Sequence, residues 1–225
     1  MIVASAIAAD RAPASDCPLC PRLVGFRGTQ RAAHPEWFNS PVPSFGDDAA
    51  ELLIVGLAPG LRGANRTGRP FTGDYAGDLL SATLGKFGFA VGAYAARPDD
   101  GLALRRARIT NAVRCVPPQN KPEPAEIEAC RPFLAAELAA LPGLRVALSL
   151  GAIAHNSVLT ALGLRRAAYP FAHGAIHRLP NGLALADSYH CSRLNTNTGR
   201  LTTAMFEAVF ATIAEQLGTA PDKSG

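Results

Sequence analysis

The hydrophobic positions of this chain fall into short apolar runs that alternate with longer periodic segments. Three apolar runs have the length and composition of buried strands, namely residues 51–56, 107–113 and 145–151. Periodic segments follow them and predict helices, over residues 78–89, 122 to about 141 and 152 to about 162. Strands that alternate with helices predict a mostly parallel sheet with helices on both of its faces.

The C-terminal third is predicted to hold a hairpin or final strand and a closing helix. Residues 175–179 and 183–190 have strand character and are joined through Pro-Asn-Gly. Apolar residues then recur every four positions, as in an amphipathic helix, at Leu201, Met205, Val209, Ile213 and Leu217. Residues 21–50 differ, because they contain four prolines and little periodicity. We expect a loop there.

Length and composition predict one domain over residues 1–225, with residues 1–16 and 219–225 as flexible tails. A hydrophobic content of 48% excludes disorder. No apolar run approaches the ~20 residues that a membrane-spanning helix needs, so we expect no contact with a membrane. The apolar N-terminus lacks a basic region and is interpreted as a mobile tail or docking strand, with a signal peptide as the alternative. A net charge of +4 permits nucleic acid as a partner without requiring it.

A glycine-rich loop follows the first predicted strand and leads to the carboxylate of Asp74. The stretch from Gly56 to Leu80 contains six glycines and three arginines. Ligands of open α/β sheets bind beyond the carboxyl ends of strands, where this loop begins. It matches neither a P-loop nor a dinucleotide-binding motif, because the required glycine and lysine spacings are absent. Taken alone, Asp74 is equally well explained as a turn residue.

Four of the five cysteines form a pattern that suits a metal site. Cys17 and Cys20 form a C-x-x-C pair, Cys115 follows a predicted strand, and Cys130 lies on the inner face of the next helix. The alternative is a redox pair with two buried structural cysteines. Four thiolates can bind either zinc or a 4Fe–4S cluster, and their spacing does not separate the two.

A third polar segment, residues 187–202, joins the last predicted strand to the closing helix. His190 is placed at the strand end, where a histidine taken alone is more often a structural hydrogen-bond donor. Ser192, Thr196, Asn197 and Thr198 could serve simply as helix caps.

Three segments together carry a resemblance to a known family. They are "GLAPGLRGANRTGRPFTGD", "ITNAVRCVPPQNKP" and "HCSRLNTNTGRLT". In this order, and with the four cysteines, they resemble the iron–sulfur uracil-DNA glycosylases of family 5, also called type b. The related family 4 has an acidic residue where this chain has Leu57. The family usually has His-Pro-Ser where this chain has His190-Cys191-Ser192, and we interpret Cys191 as an exposed thiol outside the metal site.

The resemblance implies a three-layer α/β/α sandwich and a set of site residues. Asp74 would stabilise the cation-like sugar and orient water, and His190 would donate a hydrogen bond to the departing base. The implied substrate-binding residues are Gly56, Ala58, Phe71, Asn111, Ser192, Arg193 and Asn195. The implied phosphate contacts are Arg62, Arg66, Arg69, Arg193 and Arg200. The implied ligands of a structural 4Fe–4S cluster are Cys17, Cys20, Cys115 and Cys130, and no catalytic metal is implied.

The resemblance also implies a cytoplasmic, nucleoid-associated monomer that removes uracil from double-stranded and single-stranded DNA and leaves an abasic site. Small residues around the loop favour release of hypoxanthine as well, namely Gly56, Ala58, Gly60, Gly63 and Ala64. Lys121 is the only lysine near the motifs, so we expect little or no lyase activity. The alternatives are a zinc-bearing nucleic-acid-binding α/β protein without catalysis and a nucleotide-binding α/β regulator.

Overall fold

A six-stranded mixed sheet forms the centre of the molecule, in a computed structural model that describes residues 11–218. The strand order is β1-β5-β2-β6-β8-β7. The inner pairs are parallel, and the two edge strands, β1 and β7, are antiparallel to their neighbours. The strands of this sheet are β1 (Phe45–Gly46), β2 (Leu52–Gly56), β5 (Ala107–Asn111), β6 (Val146–Leu150), β7 (Ile176–Arg178) and β8 (Ala184–Ser188). A separate two-stranded sheet contains β3 (Ala90–Val91) and β4 (Ala103–Leu104).

Helices cover both faces of the six-stranded sheet. The helices are α1 (Pro21–Ala33), α2 (Ala64–Thr67), α3 (Tyr75–Lys86), α4 (Pro124–Ala139), α5 (Ala152–Ala161), α6 (Arg193–Asn197) and α7 (Thr203–Leu217). The predicted mostly parallel sheet, the C-terminal hairpin and the closing helix are confirmed. The predicted three-layer sandwich is confirmed as well.

Alternate residues of β2 show how the three layers are held together. Leu52 and Ile54 belong to an apolar cluster that includes side chains of α3 and α7. Leu53 and Val55 belong to a second cluster that includes side chains of α4 and α5. All four side chains are fully buried, which explains why this strand is an uninterrupted apolar run in the sequence.

The expectation of a loop over residues 21–50 is wrong for its first part, which forms α1. Proline at the first helical position is compatible with a helix start, because its missing N–H would have no intrahelical partner. The buried face of α1 carries Leu23 and, one turn later, Arg27. A charged residue on the inner face removes the apolar periodicity from which a helix is recognised.

The segment before α1 packs against the rest of the chain from Arg11 onward. The Arg11 guanidinium binds the carboxylates of Asp48 and Glu137 at 2.9 and 3.0 Å. Asp16 pairs with Arg31 at 2.6 Å. These contacts differ from the flexible tail predicted for residues 1–16, of which residues 1–10 lie outside the described part of the chain, as does the predicted tail at 219–225. Within residues 11–218, no helix has the length and apolar character needed to cross a membrane.

The end of β8 is held in place by His155 of α5. Its Nδ1 lies 2.7 Å from the Asp187 carboxylate, and its Nε2 lies 2.7 Å from the Tyr169 carbonyl oxygen. Burial alone would lower the pKa of His155, but the hydrogen bond and charge of Asp187 outweigh it, so the pKa is raised. A protonated ring is the form that can donate to both oxygens. This contact fixes β8 three residues before His190.

Candidate active site and metal centre

The glycine-rich loop lies at the carboxyl edge of the sheet and ends at Asp74. Gly56 is the last residue of β2 and lies beside Asn111, the last residue of β5. Asp74 is the N-cap of α3, where its Oδ1 accepts a hydrogen bond of 3.1 Å from the Gly77 amide. Asp74 therefore has a local structural role as a helix cap, as considered from the sequence. The same residue also lines an open cleft.

Two glycines make room for the Asp74 carboxylate. A Cβ atom would lie 2.9 Å from Oδ2 of Asp74 if added at Gly60, and 2.3 Å if added at Gly63. Both distances are below normal contact. Burial raises the pKa of Asp74, and hydrogen bonding from the Gly77 amide only partly offsets that effect. The carboxylate is thus held close to backbone in a site that disfavours its charge.

His190 follows β8 and faces Phe71 across the cleft. The two ring centroids lie 5.8 Å apart, with 28° between the ring planes. Burial lowers the pKa of His190 to about 4, so its imidazole is neutral at physiological pH. Asn195 donates from Nδ2 to the His190 carbonyl oxygen at 2.8 Å. Through this contact, α6 holds the backbone that carries the imidazole.

Asn111 places a buried amide oxygen without a partner at the strand edge. The residue is 3% exposed, and its Oδ1 has no hydrogen-bond partner among the described residues. A Cβ atom at Gly56 would lie 2.4 Å from this oxygen and 2.7 Å from the Phe71 ring. Only glycine therefore fits beneath both side chains. An unpartnered buried acceptor is costly, which points to a donor supplied by a ligand.

Phe71 has an unusual backbone conformation. Its φ of 50° lies in the left-handed region, which an aromatic residue rarely adopts. The ring is buried, and the Phe71 carbonyl oxygen would lie 2.1 Å from a Cβ at Gly77. Such strain persists only where the surrounding structure imposes it, and it concentrates at ligand sites.

A cleft of about 600 Å³, open to solvent, brings most of the predicted site residues together. The predicted residues that line it are Ala58, Phe71, Asp74, Asn111, His190, Ser192 and Arg193. Gly56 lies beneath this lining and Asn195 behind it, as described above. Tyr75 and Asn120 also line the cleft and were not identified from the sequence. The left-handed φ of Asn120, 57°, marks a strained turn, but its signal in sequence is only the Gln-Asn pair after two prolines.

Four of the five arginines predicted to contact phosphate are exposed, and the fifth is not. Arg69 is buried and forms a two-pronged ion pair with Asp100, with both N–O distances 2.8 Å. The prediction that Arg69 contacts phosphate is therefore wrong, because its donors are engaged inside the protein. The exposed arginines are Arg62, Arg66, Arg193 and Arg200. Arg193 lies over the Tyr75 ring at 5.5 Å, and Arg200 lies over the Tyr189 ring at 4.6 Å.

Leu194 is the most exposed large apolar side chain in the described part of the chain, at 72%. It lies in the short helix α6, between Arg193 and Asn195. Ser192 begins this helix and accepts a hydrogen bond from the Asn195 amide at 3.4 Å. The helix therefore presents an apolar tip beside the open cleft.

The four cysteines predicted to bind metal line one small cavity. They are Cys17, Cys20, Cys115 and Cys130, and all four are free thiols. Burial raises the pKa of Cys115 to about 12 and that of Cys130 to about 11. Leu23, Val113 and Phe133 surround them. Four cysteines around one cavity supply the donor atoms that a structural zinc ion or a 4Fe–4S cluster takes.

Cys191 does not belong to this cavity, and it is not exposed. It is 0% exposed and lies in the apolar cluster between the sheet and α3, where its Sγ contacts the Ala76 carbonyl oxygen at 3.5 Å. Burial raises its pKa to about 12. The interpretation of Cys191 as an exposed thiol is wrong, because the chain after His190 turns inward and packs beneath α3.

The cysteine cavity and the cleft share one short segment of backbone. The Ala112 amide donates to the Gly56 carbonyl oxygen at 2.9 Å, and the Val113 amide donates to the Leu57 carbonyl oxygen at 3.0 Å. Asn111 precedes this segment and Cys115 follows it. A metal group held by Cys115 would therefore also restrain the floor of the cleft.

Comparison with known proteins agrees with the resemblance drawn from the sequence. Residues 43–214 match a family model described as the uracil DNA glycosylase superfamily. A type-5 uracil-DNA glycosylase of Thermus thermophilus is 50% identical over 196 residues, which cover 84% of this chain and 89% of the relative. A protein of the same name from Mycobacterium tuberculosis is 42% identical, covering 87% of this chain and 76% of the relative. The one from Pyrobaculum aerophilum is 40% identical and covers 90% of both chains. The chain therefore belongs to the uracil-DNA glycosylase superfamily, within its type-5 family.

Proposed function

We propose that this protein is a monofunctional DNA glycosylase that hydrolyses the N-glycosidic bond of uracil in DNA and leaves an abasic site. One observation supports it most strongly. The cleft is lined by a half-buried carboxylate, a neutral imidazole and a buried amide oxygen that has no hydrogen-bond partner within residues 11–218. The first can act on the sugar, the second on the base oxygen and the third on the base edge.

Asp74 acts on the sugar side of the bond. As the base departs, positive charge develops on the deoxyribose, and an ionised carboxylate beside it lowers the energy of that state. The raised pKa reflects a carboxylate whose negative charge is poorly solvated, so it gains most when a positive charge forms nearby. The same carboxylate can orient the water that attacks the sugar carbon.

His190 acts on the base side. Uracil leaves as an anion whose charge accumulates on its oxygen atoms, and a fixed N–H donor stabilises that charge. A histidine whose pKa is about 4 is neutral and still carries one N–H. His190 therefore works as a hydrogen-bond donor rather than as a cationic acid. The hydrogen bond from Asn195 to its carbonyl oxygen fixes where that donor points.

Asn111 and Phe71 recognise the base. The unpartnered Oδ1 of Asn111 can accept the imide N–H of uracil, and its Nδ2 can donate to the neighbouring carbonyl oxygen. Phe71 offers an aromatic face, and stacking of this kind contributes about 1–3 kcal/mol per base. The imide edge is reached only after the nucleotide leaves the helix, so the enzyme binds a flipped nucleotide.

Leu194 and the exposed arginines are proposed to contact the DNA. A protruding apolar side chain can fill the space that an extruded nucleotide leaves in the stack. Exposed guanidinium groups beside the cleft can neutralise phosphates, which predicts binding that weakens as salt rises. Double-stranded DNA is the proposed partner, with single-stranded DNA a further substrate, and we place the enzyme in the cytoplasm at the nucleoid.

A 4Fe–4S cluster is proposed for the four-cysteine cavity. The cavity and the cleft share no lining residue, so the cluster takes no part in bond cleavage and its role is structural. The four thiolates would hold it, and it would supply cross-links between the N-terminal segment, the Cys115 loop and α4. Iron and zinc analysis of the purified protein tests this: about four irons per chain is expected, and one zinc with full activity would contradict it.

Release of hypoxanthine as well as uracil is proposed on the size of the cleft. The small loop residues do not themselves enlarge the space for the base, as the sequence suggests they would. Space beside Gly60 and Gly63 is taken by Asp74, and space beside Gly56 by Asn111 and Phe71. The volume of the open cleft, about 600 Å³, remains the supporting observation. Hypoxanthine also presents a ring N–H that the Asn111 oxygen could accept.

Single-turnover assays on duplexes with uracil, hypoxanthine, xanthine or thymine opposite each normal base test the activity. We expect alkali-labile abasic sites from uracil and hypoxanthine, without strand breakage before alkali. Among the described residues that line the cleft there is no lysine to form a Schiff base. Absence of any base release by iron-loaded protein would favour the binding-protein alternative.

A further inference from the structure

Arg27 directs a buried guanidinium group into the cysteine cavity. The residue lies on α1, is 3% exposed and lines the cavity. Its Nη1 lies 3.4 Å from the sulfur of Cys115, and its Nη2 donates to the Cys17 carbonyl oxygen at 3.1 Å. One guanidinium thus contacts two of the four residues that supply the sulfurs.

No carboxylate within residues 11–218 forms an ion pair with Arg27. The charge of Arg27 acts on Asp16, but that carboxylate is exposed and is paired at the surface with Arg31. The other deeply buried arginine, Arg114, differs, because its guanidinium has the buried Glu137 carboxylate at 3.5 Å. A buried cation without a counter-charge is strongly disfavoured, and arginine does not escape the cost by losing its proton.

A counter-charge in direct contact with Arg27 is supplied if the cavity holds an anionic group. Four cysteine thiolates around a 4Fe–4S core, or around a zinc ion, carry a net negative charge that belongs to the whole group. The Arg27 guanidinium is directed at one of those sulfurs. A second donor reaches another sulfur, since the Arg114 backbone amide lies 3.3 Å from the sulfur of Cys130.

We propose that Arg27 is the positioning and charge-balancing residue of the metal–thiolate group in this cavity. This inference rests on the proposed metal centre but assigns a role to a residue outside the ligand set. The cation and its N–H···S contact hold α1 against the metal group. They also stabilise electron density on the sulfurs, which favours the reduced form of a cluster and raises its reduction potential.

The test compares full-length wild-type protein with Arg27→Gln, Arg27→Lys and Arg22→Gln. Arg22 is the matched control, because it lies on the same helix and pairs with Glu126 at 2.7 Å without contacting a sulfur. Three quantities are measured: metal content, the rate of metal loss to a chelator followed by the visible absorbance, and the midpoint potential of the cluster.

We expect Arg27→Gln to lose metal at least about tenfold faster than wild type, as is typical when a residue that orients metal ligands is changed. Its midpoint potential should shift to more negative values, because removal of a positive charge favours the oxidised cluster. Arg27→Lys keeps the charge and should keep the potential while losing metal faster. Arg22→Gln should resemble wild type in both measurements.

Equal metal-loss rates and potentials in wild type and Arg27→Gln would overturn the inference. So would equal effects of Arg27→Gln and Arg22→Gln, because the cause would then be a loosened α1. If Arg27→Gln does not accumulate as folded protein, an unchanged metal-loss rate in Arg27→Lys overturns it. If the wild type holds zinc instead of iron, the cluster proposal fails, and the same variants test Arg27 by zinc release.

Discussion

Gly63 and Asp74 are in such close contact that no other residue fits at position 63: an added Cβ would lie 2.3 Å from the Asp74 Oδ2 atom. We therefore expect Gly63→Ala to move the carboxylate and to lower the single-turnover rate of uracil release by about 100-fold, the scale of a 1 Å misplacement. DNA binding, measured by electrophoretic shift, should change little.

Gly85→Ala is the matched control for that substitution. Gly85 lies within α3, and nothing lies within 4 Å of a Cβ added there. Alanine in a helix interior is favoured over glycine by about 0.5–1 kcal/mol, so this variant should be slightly more stable and fully active. Equal rates in the two variants would show that Gly63 does not position Asp74.

Asp74→Asn is expected to slow base release while it stabilises the fold. The amide cannot stabilise a cation-like sugar, so the rate should fall at least about tenfold, or ~1.4 kcal/mol in barrier height. Asparagine still caps the helix. Because the pKa of Asp74 is raised, its ionised form destabilises the folded state at neutral pH, and this penalty is absent below the pKa of the unfolded chain.

The pH dependence of unfolding checks the second half of that prediction. The variant should melt at a higher temperature than wild type near pH 7, and the difference should shrink as the pH falls below about 4, where aspartic acid is protonated in both states. A variant with wild-type activity would mean that Asp74 serves only as a helix cap.

His190 should remain neutral throughout the working range of the enzyme. Its pKa of about 4 predicts that its ring resonances do not titrate between about pH 5.5 and 8 in nuclear magnetic resonance spectra. His190→Ala should lower the single-turnover rate by about 100-fold, the loss typical of one oxyanion donor. A titration midpoint near 6.5 would contradict the neutral-donor mechanism.

Substitution of Cys130 and substitution of Cys191 should have different effects on the iron content of the protein. Cys130→Ala removes a sulfur from the four-cysteine cavity and should lower the iron content, whereas Cys191→Ala should keep it. With a pKa of about 12 and no exposure, Cys191 should not react with iodoacetamide in the folded protein. Loss of iron from Cys191→Ala would show that the cavity is not the complete ligand set.

Leu194→Ala should impair action on duplex DNA more than on single strands. The exposed side chain can fill a gap only where a base stack exists. We expect a fall of about tenfold in the rate on duplex uracil, equivalent to ~1.4 kcal/mol, and a smaller change on single-stranded uracil. Similar losses on both substrates would assign Leu194 to the fold of α6 instead.

The sequence predicts the sheet and most of its helices because apolar residues recur in those elements, without interruption, at the spacing typical of a buried strand or helix. It does not predict α1, since Arg27 occupies the inner face where a hydrophobic residue would mark a helix. The motifs locate Asp74 and His190, but not their environment. Burial raises the pKa of Asp74 and lowers that of His190, and the residues that bury them come from segments far apart in the chain.

Arg69 and Cys191 show the limit of residue type as a guide. A loop arginine is usually exposed, but here Asp100, 31 residues away, holds Arg69 inside the protein. A cysteine in a polar segment looks accessible, but the turn after His190 carries Cys191 under α3. Both outcomes depend on tertiary contacts that no local pattern records.

The N-cap position of Asp74 has a consequence for how this chain can vary in length. Because the carboxylate that faces the sugar also begins α3, the number of residues between Gly56 and Asp74 is set by the reaction. An insertion there would shift the start of the helix and the carboxylate together. The connection between β3 and β4, residues 92–102, does not line the cleft, but it supports this loop. Asp100 pairs with Arg69, and the Tyr94 hydroxyl contacts the Phe71 carbonyl oxygen and the Gly73 amide. Homologues that differ in length are expected to keep the spacing of the loop and of the connection that supports it.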